Sequence, residues 1–293
     1  NNWYVIFHAK SDDTNVQLYG DFTNGESNAI ALTRTPDGEF WWFKGTDSSF
    51  SSVPKHGDEY RFKLTRDGAT ETFIDPAARW VSSSELSQGM SKIFLSDQYQ
   101  WGSSNWQRPS QEQLNIYQLH PLRFTDRNNA ETPFDEVIEE LNNDGTSDYI
   151  NKLGVTALEL LPVNEFAGDL SWGYNPSFFY AVESSYGGPD KLKALVDQAH
   201  QNGIAVILDL EFNHVATGDN ILWSVSNDTY IDGDTVWGGL YNFDDPVAKH
   251  FLIQNVLYLA KEFRIDGFRF DHTNTIHNTS SWFVTEQGSG GGW

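Results

Sequence analysis

The sequence predicts two architectures in tandem: an antiparallel β-sandwich over residues 1–100 and a parallel-strand α/β unit over 114–293, joined by a linker at 101–113. Three observations carry this. The first hundred residues alternate short β-rich runs with turn signals. Gly102 to Gln113 is polar and carries a proline. From Leu114 onward, short continuous apolar runs alternate with helical periodicity. A chain of 293 residues is long enough for two domains at the usual ~100–200 residues each.

In the first unit, Trp3 to Ala9, Val16 to Tyr19, Phe40 to Lys44 and Tyr60 to Leu64 read as strands, with Asp37-Gly38 and Asp67-Gly68 as hairpin-type turns. In the second, Ile116 to Leu122, Val155 to Leu161, Ile204 to Leu210 and Gly267 to Asp271 read as buried parallel strands. Phe134 to Leu153 supplies an interrupted first helix. Pro189 opens another, in which Leu192, Leu195, Val196 and Ala199 share a face, and Gly203 ends it. A third runs from Pro246, with Val247, Phe251, Val256, Leu259 and Phe263 as core-facing positions. The order β-α-β-α-β-α-β fits a doubly wound sheet or the first half of an eight-fold barrel, and periodicity does not choose between them.

Composition narrows the ligand. Hydrophobic residues make up 39% of the chain, which excludes global disorder. No run approaches the ~18 apolar residues that cross a bilayer, and the start, Asn1-Asn2-Trp3-Tyr4, has neither a basic region nor an apolar signal core. The chain is therefore expected to be soluble, with its compartment, cytoplasmic or secreted, undecided. A formal charge of −22 repels phosphate backbones and anionic lipid, so neither nucleic acid nor membrane is expected as a partner and the ligand is neutral or cationic. With no cysteine, disulfides, thiol catalysis and Cys-ligated zinc are excluded. The 20 Phe, 12 Tyr and 11 Trp suit the apolar faces of sugars, although packing accounts for most rings.

The strand ends carry the chemistry. The third strand ends Asp209-Leu210-Glu211-Phe212-Asn213-His214, at the C-terminal edge where parallel α/β folds build their sites. In the fourth, Gly267, Arg269 and Asp271 share one face and Phe268 and Phe270 the other. An Arg and an Asp two apart inside a barrel cost several kcal/mol unless paired, so they read either as a charge network with a purpose or as a bridge that sets register.

DLEFNH at 209–214 and GFRFD at 267–271 resemble the first and second signature regions of glycoside hydrolase family 13, the alpha-amylase family. Trp172-Gly173-Tyr174-Asn175-Pro176 is similar to the family's segment after the second strand. Tyr186-Gly187-Gly188-Pro189, then His200 and GIAVILD, are similar to its run into the third. Ile116-Tyr117-Gln118-Leu119-His120 resembles the first barrel strand on the branching-enzyme side of the family. Tyr19-Gly20-Asp21-Phe22 and Phe73-Ile74-Asp75-Pro76-Ala77 are similar to the immunoglobulin-like sandwich called carbohydrate-binding module family 48.

The resemblance implies a (β/α)8 TIM barrel of which 114–293 supplies about the first four βα units. Asp271 would be the nucleophile of a retaining mechanism that passes through a covalent glycosyl–enzyme intermediate. Arg269 would stabilise the charge of Asp271, and Asp209 would orient Arg269. His214 would hydrogen-bond a sugar hydroxyl, and Tyr174 would stack beneath that sugar. The substrate would be an alpha-glucan (starch, glycogen or a maltooligosaccharide), either hydrolysed or transferred into branches; oligomeric state is left open. No cofactor is required, with a structural calcium, and Asn213 among its ligands, as the one candidate metal. Thr275 stands where many alpha-amylases have a histidine, with Asn274 before it and His272 and His277 elsewhere, which weighs against that calcium. Glu211 replaces an apolar residue. The general-acid Glu of the fifth strand and a later His-Asp pair have no counterpart before Trp293, Glu286 being a poor substitute, so the chain is expected to be part of a longer protein and inactive alone. A non-catalytic glucan-binding or scaffold protein is the alternative. A doubly wound nucleotide-binding protein is disfavoured, because no Gly-rich phosphate loop follows a strand.

Overall fold

A computed structural model describes residues 1–8, 10, 12–124, 132–142, 149–168 and 170–277. Glu286 and the Gly-rich stretch 288–292 lie outside the described residues.

The N-terminal region contains β1 (Asn2–His8), β2 (Asp13–Gly20), β3 (Ile30–Ala31), β4 (Thr33–Arg34), β5 (Phe40–Thr46), β6 (Glu59–Arg66), β7 (Ala69–Phe73) and β8 (Ser91–Lys92). One antiparallel sheet has the order β1-β5-β4; the other runs β3-β2-β6-β7, with β8 against β6. Period-2 alternation buries Val16 and Leu18 of β2 while Asn15 and Gln17 stay partly exposed. The two sheets meet through Phe7 and Phe62, whose ring centroids are 4.4 Å apart. Asp67 and Gly68 have φ of 51° and 79°, as a two-residue loop between twisted strands requires, and they set Arg66 opposite Ala69.

The second region runs β9 (Ile116–Leu119), α1 (Pro121–Phe124), α2 (Pro133–Leu141), α3 (Tyr149–Leu153), β10 (Ala157–Leu160), β11 (Asn164–Phe166), β12 (Pro176–Val182), α4 (Gly188–Gln201), β13 (Ala205–Leu210), α5 (Ile221–Tyr230), β14 (Ile231–Asp234), β15 (Gly239–Tyr241), α6 (Pro246–Glu262), β16 (Gly267–Phe270) and α7 (Thr273–His277). β9, β10, β13 and β16 form one parallel sheet in sequence order. A doubly wound sheet reverses its order at a switch point, and these four strands do not. Leu119, Leu160 and Leu208 stand in register, so the strand ends are level.

The expected elements are present, with three corrections. The first strand stops at Leu119, because Pro121 opens a helical turn. The α6 face that is fully buried is Ala248, Leu252, Asn255 and Leu259, whereas Val247, Phe251 and Val256 are half-buried on its flank. There Phe251 packs edge-on against Tyr180 and Tyr230. α5 and the hairpins β11–β12 and β14–β15 are additions that the sequence pattern did not disclose.

The segment joining the two regions is pinned down. Gly102 and Ser103 donate their N–H groups to Asp197, each at 2.8 Å. Trp106 stacks on His200, centroids 4.3 Å apart, and donates to Asp266, which also accepts from His200 and from Val206 N–H. Asp266 precedes β16, so this network closes the N-terminal edge of the sheet and leaves the C-terminal edge for the site. Arg66 ties the regions together, pairing with buried Asp13 and donating to the Val225 carbonyl at 2.9 Å.

Candidate active site

At the C-terminal edge, the β13–β16 register sets Asp209 beside Arg269. In-register residues of parallel strands project to the same face, so the two side chains meet. Arg269 Nη1 lies 2.8 Å from both carboxylate oxygens of Asp209 and 2.7 Å from Asp271 Oδ1. Asp271 continues the sheet by donating its N–H to the Leu210 carbonyl at 3.0 Å. One guanidinium thus bridges two carboxylates.

Burial is distributed differently from the sequence expectation. Asp209 is fully buried, but the Arg269 and Asp271 side chains are 42% and 29% exposed. The desolvation cost therefore falls on Asp209, which compensates with the Arg269 bonds and a hydroxyl donor: Tyr174 Oη donates to Asp209 Oδ2 at 2.6 Å. Burial pulls the Arg269 guanidinium downward, yet its hydrogen bond to Asp209 and the charges of Asp209 and Asp271 outweigh it and hold the group above its ordinary range. Burial, reinforced by the Asp209 bond, pushes the Tyr174 hydroxyl up, so it remains a donor.

His214 follows on the loop after β13. Its Nδ1 is 2.7 Å from Asn213 Oδ1 and 3.5 Å from Glu211 Oε1. Its Nε2 is buried with no hydrogen-bond partner among the described residues. The β14–β15 hairpin folds back here: Val215 N–H donates to the Gly239 carbonyl and Tyr241 N–H to that of Asn213. This brings the Trp237 ring to 5.8 Å from His214 and 5.3 Å from His272. Trp237 had no sequence signal, since its place depends on a hairpin whose first strand, Ile-Asp-Gly-Asp, reads as a turn. At the end of β9, His120 donates Nε2–H to the Ser171 carbonyl at 2.8 Å and helps line a cavity of about 240 Å³ with Leu122, Arg123, Leu170 and Trp172.

The structure thus brings Asp209, Arg269, Asp271 and Tyr174 into one bonded cluster, with His214 beside it at the same sheet edge. Asn213 is 1% exposed, and its side-chain carbonyl is turned to His214. No group of three or more His, Asp and Glu side chains fit to hold a metal occurs among the described residues. No step below runs through a metal. No helix among the described residues is long and apolar enough to cross a membrane.

A sheet of sequential parallel strands with a carboxylate–arginine–carboxylate cluster at its C-terminal edge defines the class: an α/β protein with an amylase-type fold. Comparison with known proteins agrees. Residues 118–230 match the family model for alpha amylase, catalytic domain. The chain is 36% identical over 233 residues to malto-oligosyltrehalose trehalohydrolase of Saccharolobus solfataricus, covering 78% of this chain and 39% of that protein. It is 30% identical over 287 residues to the 1,4-alpha-glucan branching enzyme GlgB of Francisella tularensis subsp. mediasiatica, covering 87% of this chain and 43% of that enzyme. A crystal structure from Salmonella typhimurium, provisionally described as an alpha amylase, superposes with a TM-score of 0.80 at 27% identity over 97% of this chain and 44% of its own. Over these residues the chain is similar to the alpha-amylase family, glycoside hydrolase family 13. It spans about two-fifths of the length of the curated relatives it matches.

Proposed function

We propose that this chain supplies the nucleophile-bearing part of a retaining glycoside hydrolase or transglycosylase that acts on alpha-glucans. The observation that carries the reading is the single Arg269 guanidinium bonded at once to buried Asp209 and to half-exposed Asp271. Such a clamp fixes Asp271 as an oriented carboxylate open to a ligand. In this reading β9, β10, β13 and β16 are the first four strands of a (β/α)8 barrel, and the sandwich is a glucan-binding module. Their sequential order and level C-terminal ends support the barrel.

In the first step, a carboxylate oxygen of Asp271 attacks the anomeric carbon while the bond to the leaving oxygen breaks. That oxygen takes a proton from a carboxylic acid outside the cluster, and a glycosyl ester remains on Asp271. Water or a sugar hydroxyl then attacks the same carbon, gives up its proton to that outside carboxyl group, now a carboxylate, and releases Asp271. Water yields hydrolysis; a sugar 6-hydroxyl yields an alpha-1,6 branch. Tyr174 and Asp209 hold Arg269, and with it Asp271, through both steps. The names of the two relatives, a trehalohydrolase and a branching enzyme, both concern alpha-linked glucose and support the substrate class.

The alternative is a glucan-binding scaffold without chemistry. Asp271→Asn separates the two in the gene product that carries this chain, since it keeps shape and removes the attacking charge. Turnover of starch or glycogen should fall by several orders of magnitude with binding retained. Activity within about tenfold of wild type sinks the nucleophile assignment.

A further inference from the structure

The proposed chemistry leaves Glu211 unused, although it lies two residues beyond Asp209 and is only 3% exposed. A carboxylate is not buried cheaply unless its oxygens are bonded. Glu211 Oε1 accepts the Asn213 backbone N–H at 2.8 Å and stands 3.5 Å from His214 Nδ1, the nitrogen that also faces Asn213 Oδ1 at 2.7 Å. An amide alone would leave the imidazole undetermined, because one end of the Asn213 side chain accepts and the other donates. Glu211 removes that freedom. An Oε1 that keeps both lone pairs, one of them taken by the Asn213 N–H, presents the other to Nδ1, so Nδ1 carries the proton. The amide must then present its oxygen as well. Nε2 is left bare, buried and without a partner among the described residues.

We propose that Glu211 is a positioning residue that fixes His214 as the Nδ1-protonated imidazole, so that Nε2 accepts a hydrogen bond from a substrate hydroxyl instead of donating one. The identity of that hydroxyl as a glucan's rests on the function proposed above; the tautomer does not. The consequence is specificity: a bare Nε2 rewards a group that donates and leaves a group that only accepts unpaired.

The test uses the gene product that carries this chain, labelled with ¹⁵N-histidine. Long-range ¹H–¹⁵N spectra at about pH 8, above the ordinary imidazole range, are compared for wild type, Glu211→Gln, which keeps an accepting oxygen, and Glu211→Leu, which does not. Wild type and Glu211→Gln should show His214 protonated on Nδ1, and Glu211→Leu should shift it to the other tautomer or a mixture. Wild type protonated on Nε2 overturns the proposal without any variant. In parallel, Glu211→Leu should weaken maltotriose binding roughly 2- to 10-fold, the worth of one hydrogen bond. That loss should vanish in a His214→Ala background, which a merely structural role would not produce. If the tautomer pattern holds and maltotriose does not bind, the glucan reading fails and the role of Glu211 stands. If maltotriose binds and Glu211→Leu changes neither tautomer nor affinity, the role of Glu211 fails.

Discussion

Tyr174 illustrates what a residue type conveys and what it withholds. Its ring was legible as a stacking surface, and on that basis alone a Phe replacement would be mild. The structure gives the hydroxyl a second task, donating at 2.6 Å to the buried carboxylate that holds Arg269. Removing the donor leaves Asp209 short of a partner, a loss of about 1–3 kcal/mol for a buried charged acceptor. Tyr174→Phe should therefore lower kcat/KM about tenfold or more. If Phe proves indistinguishable from wild type, the ring face alone matters. Asp209, Arg269 and Asp271 were readable because strand alternation and register need no knowledge of loops. The partners of Glu211 were not, since they depend on how the chain turns between residues 211 and 214. A pH effect belongs at this scale too. Asp75 is half-buried and accepts from Tyr60 Oη at 2.7 Å, and burial pushes its carboxyl above the ordinary range. A folded pKa raised above the unfolded one gives stability that is full below the unfolded value and lost as pH rises through the folded one. Asp75→Asn should therefore gain melting temperature relative to wild type between pH 4 and pH 7. A pH-independent difference contradicts this account of Asp75.

Among elements, the hairpin β14–β15 departs furthest from the sequence reading. Its order comes from tertiary bonds to the loop after β13, not from local propensity. Gly238 makes the fold-back possible: its φ is 155°, and a Cβ there would stand 1.9 Å from the Val215 carbonyl oxygen. Gly238→Ala should cost about 1–3 kcal/mol, the range for a strained backbone position, and should free Trp237 from His214. A thermal melt together with tryptophan fluorescence checks both, and an unchanged melt and spectrum would show that the hairpin does not depend on this approach. α4 was read correctly, with Leu192, Leu195, Val196 and Ala199 all fully buried and Gly203 at φ 76° after it. On α6 the buried line passes through polar Asn255, whose side-chain amide donates to the Phe179 carbonyl, and an apolar stripe does not include it.

For the whole molecule, the change from period-2 runs to alternating strands and helices is the signal that separates an antiparallel β-rich region from a parallel α/β one, and the four parallel strands follow sequence order. The binding of Arg66, Lys10 and Gly102–Trp106 across the two regions was illegible, because those contacts join residues 94 to 217 positions apart. The proposed mechanism also requires a proton donor for the leaving oxygen, and the described cluster holds none: Asp209 is committed to Arg269 and Tyr174. Since acid–base assistance is worth typically ~10²–10⁴-fold, the 293-residue chain assayed alone should release no measurable reducing ends from starch or glycogen and form no branches. Measurable turnover by a cooperatively folded chain would mean that the acid lies within it.

The central claim, that Asp271 forms the covalent bond to the sugar, is tested most directly by trapping that bond. The gene product carrying this chain is treated with a mechanism-based cyclitol that labels retaining alpha-glucosidases, then digested, and its peptides are sequenced by mass spectrometry. The account predicts one adduct, on Asp271, and none in Asp271→Asn. An adduct on another carboxylate, or undiminished labelling of Asp271→Asn, contradicts it.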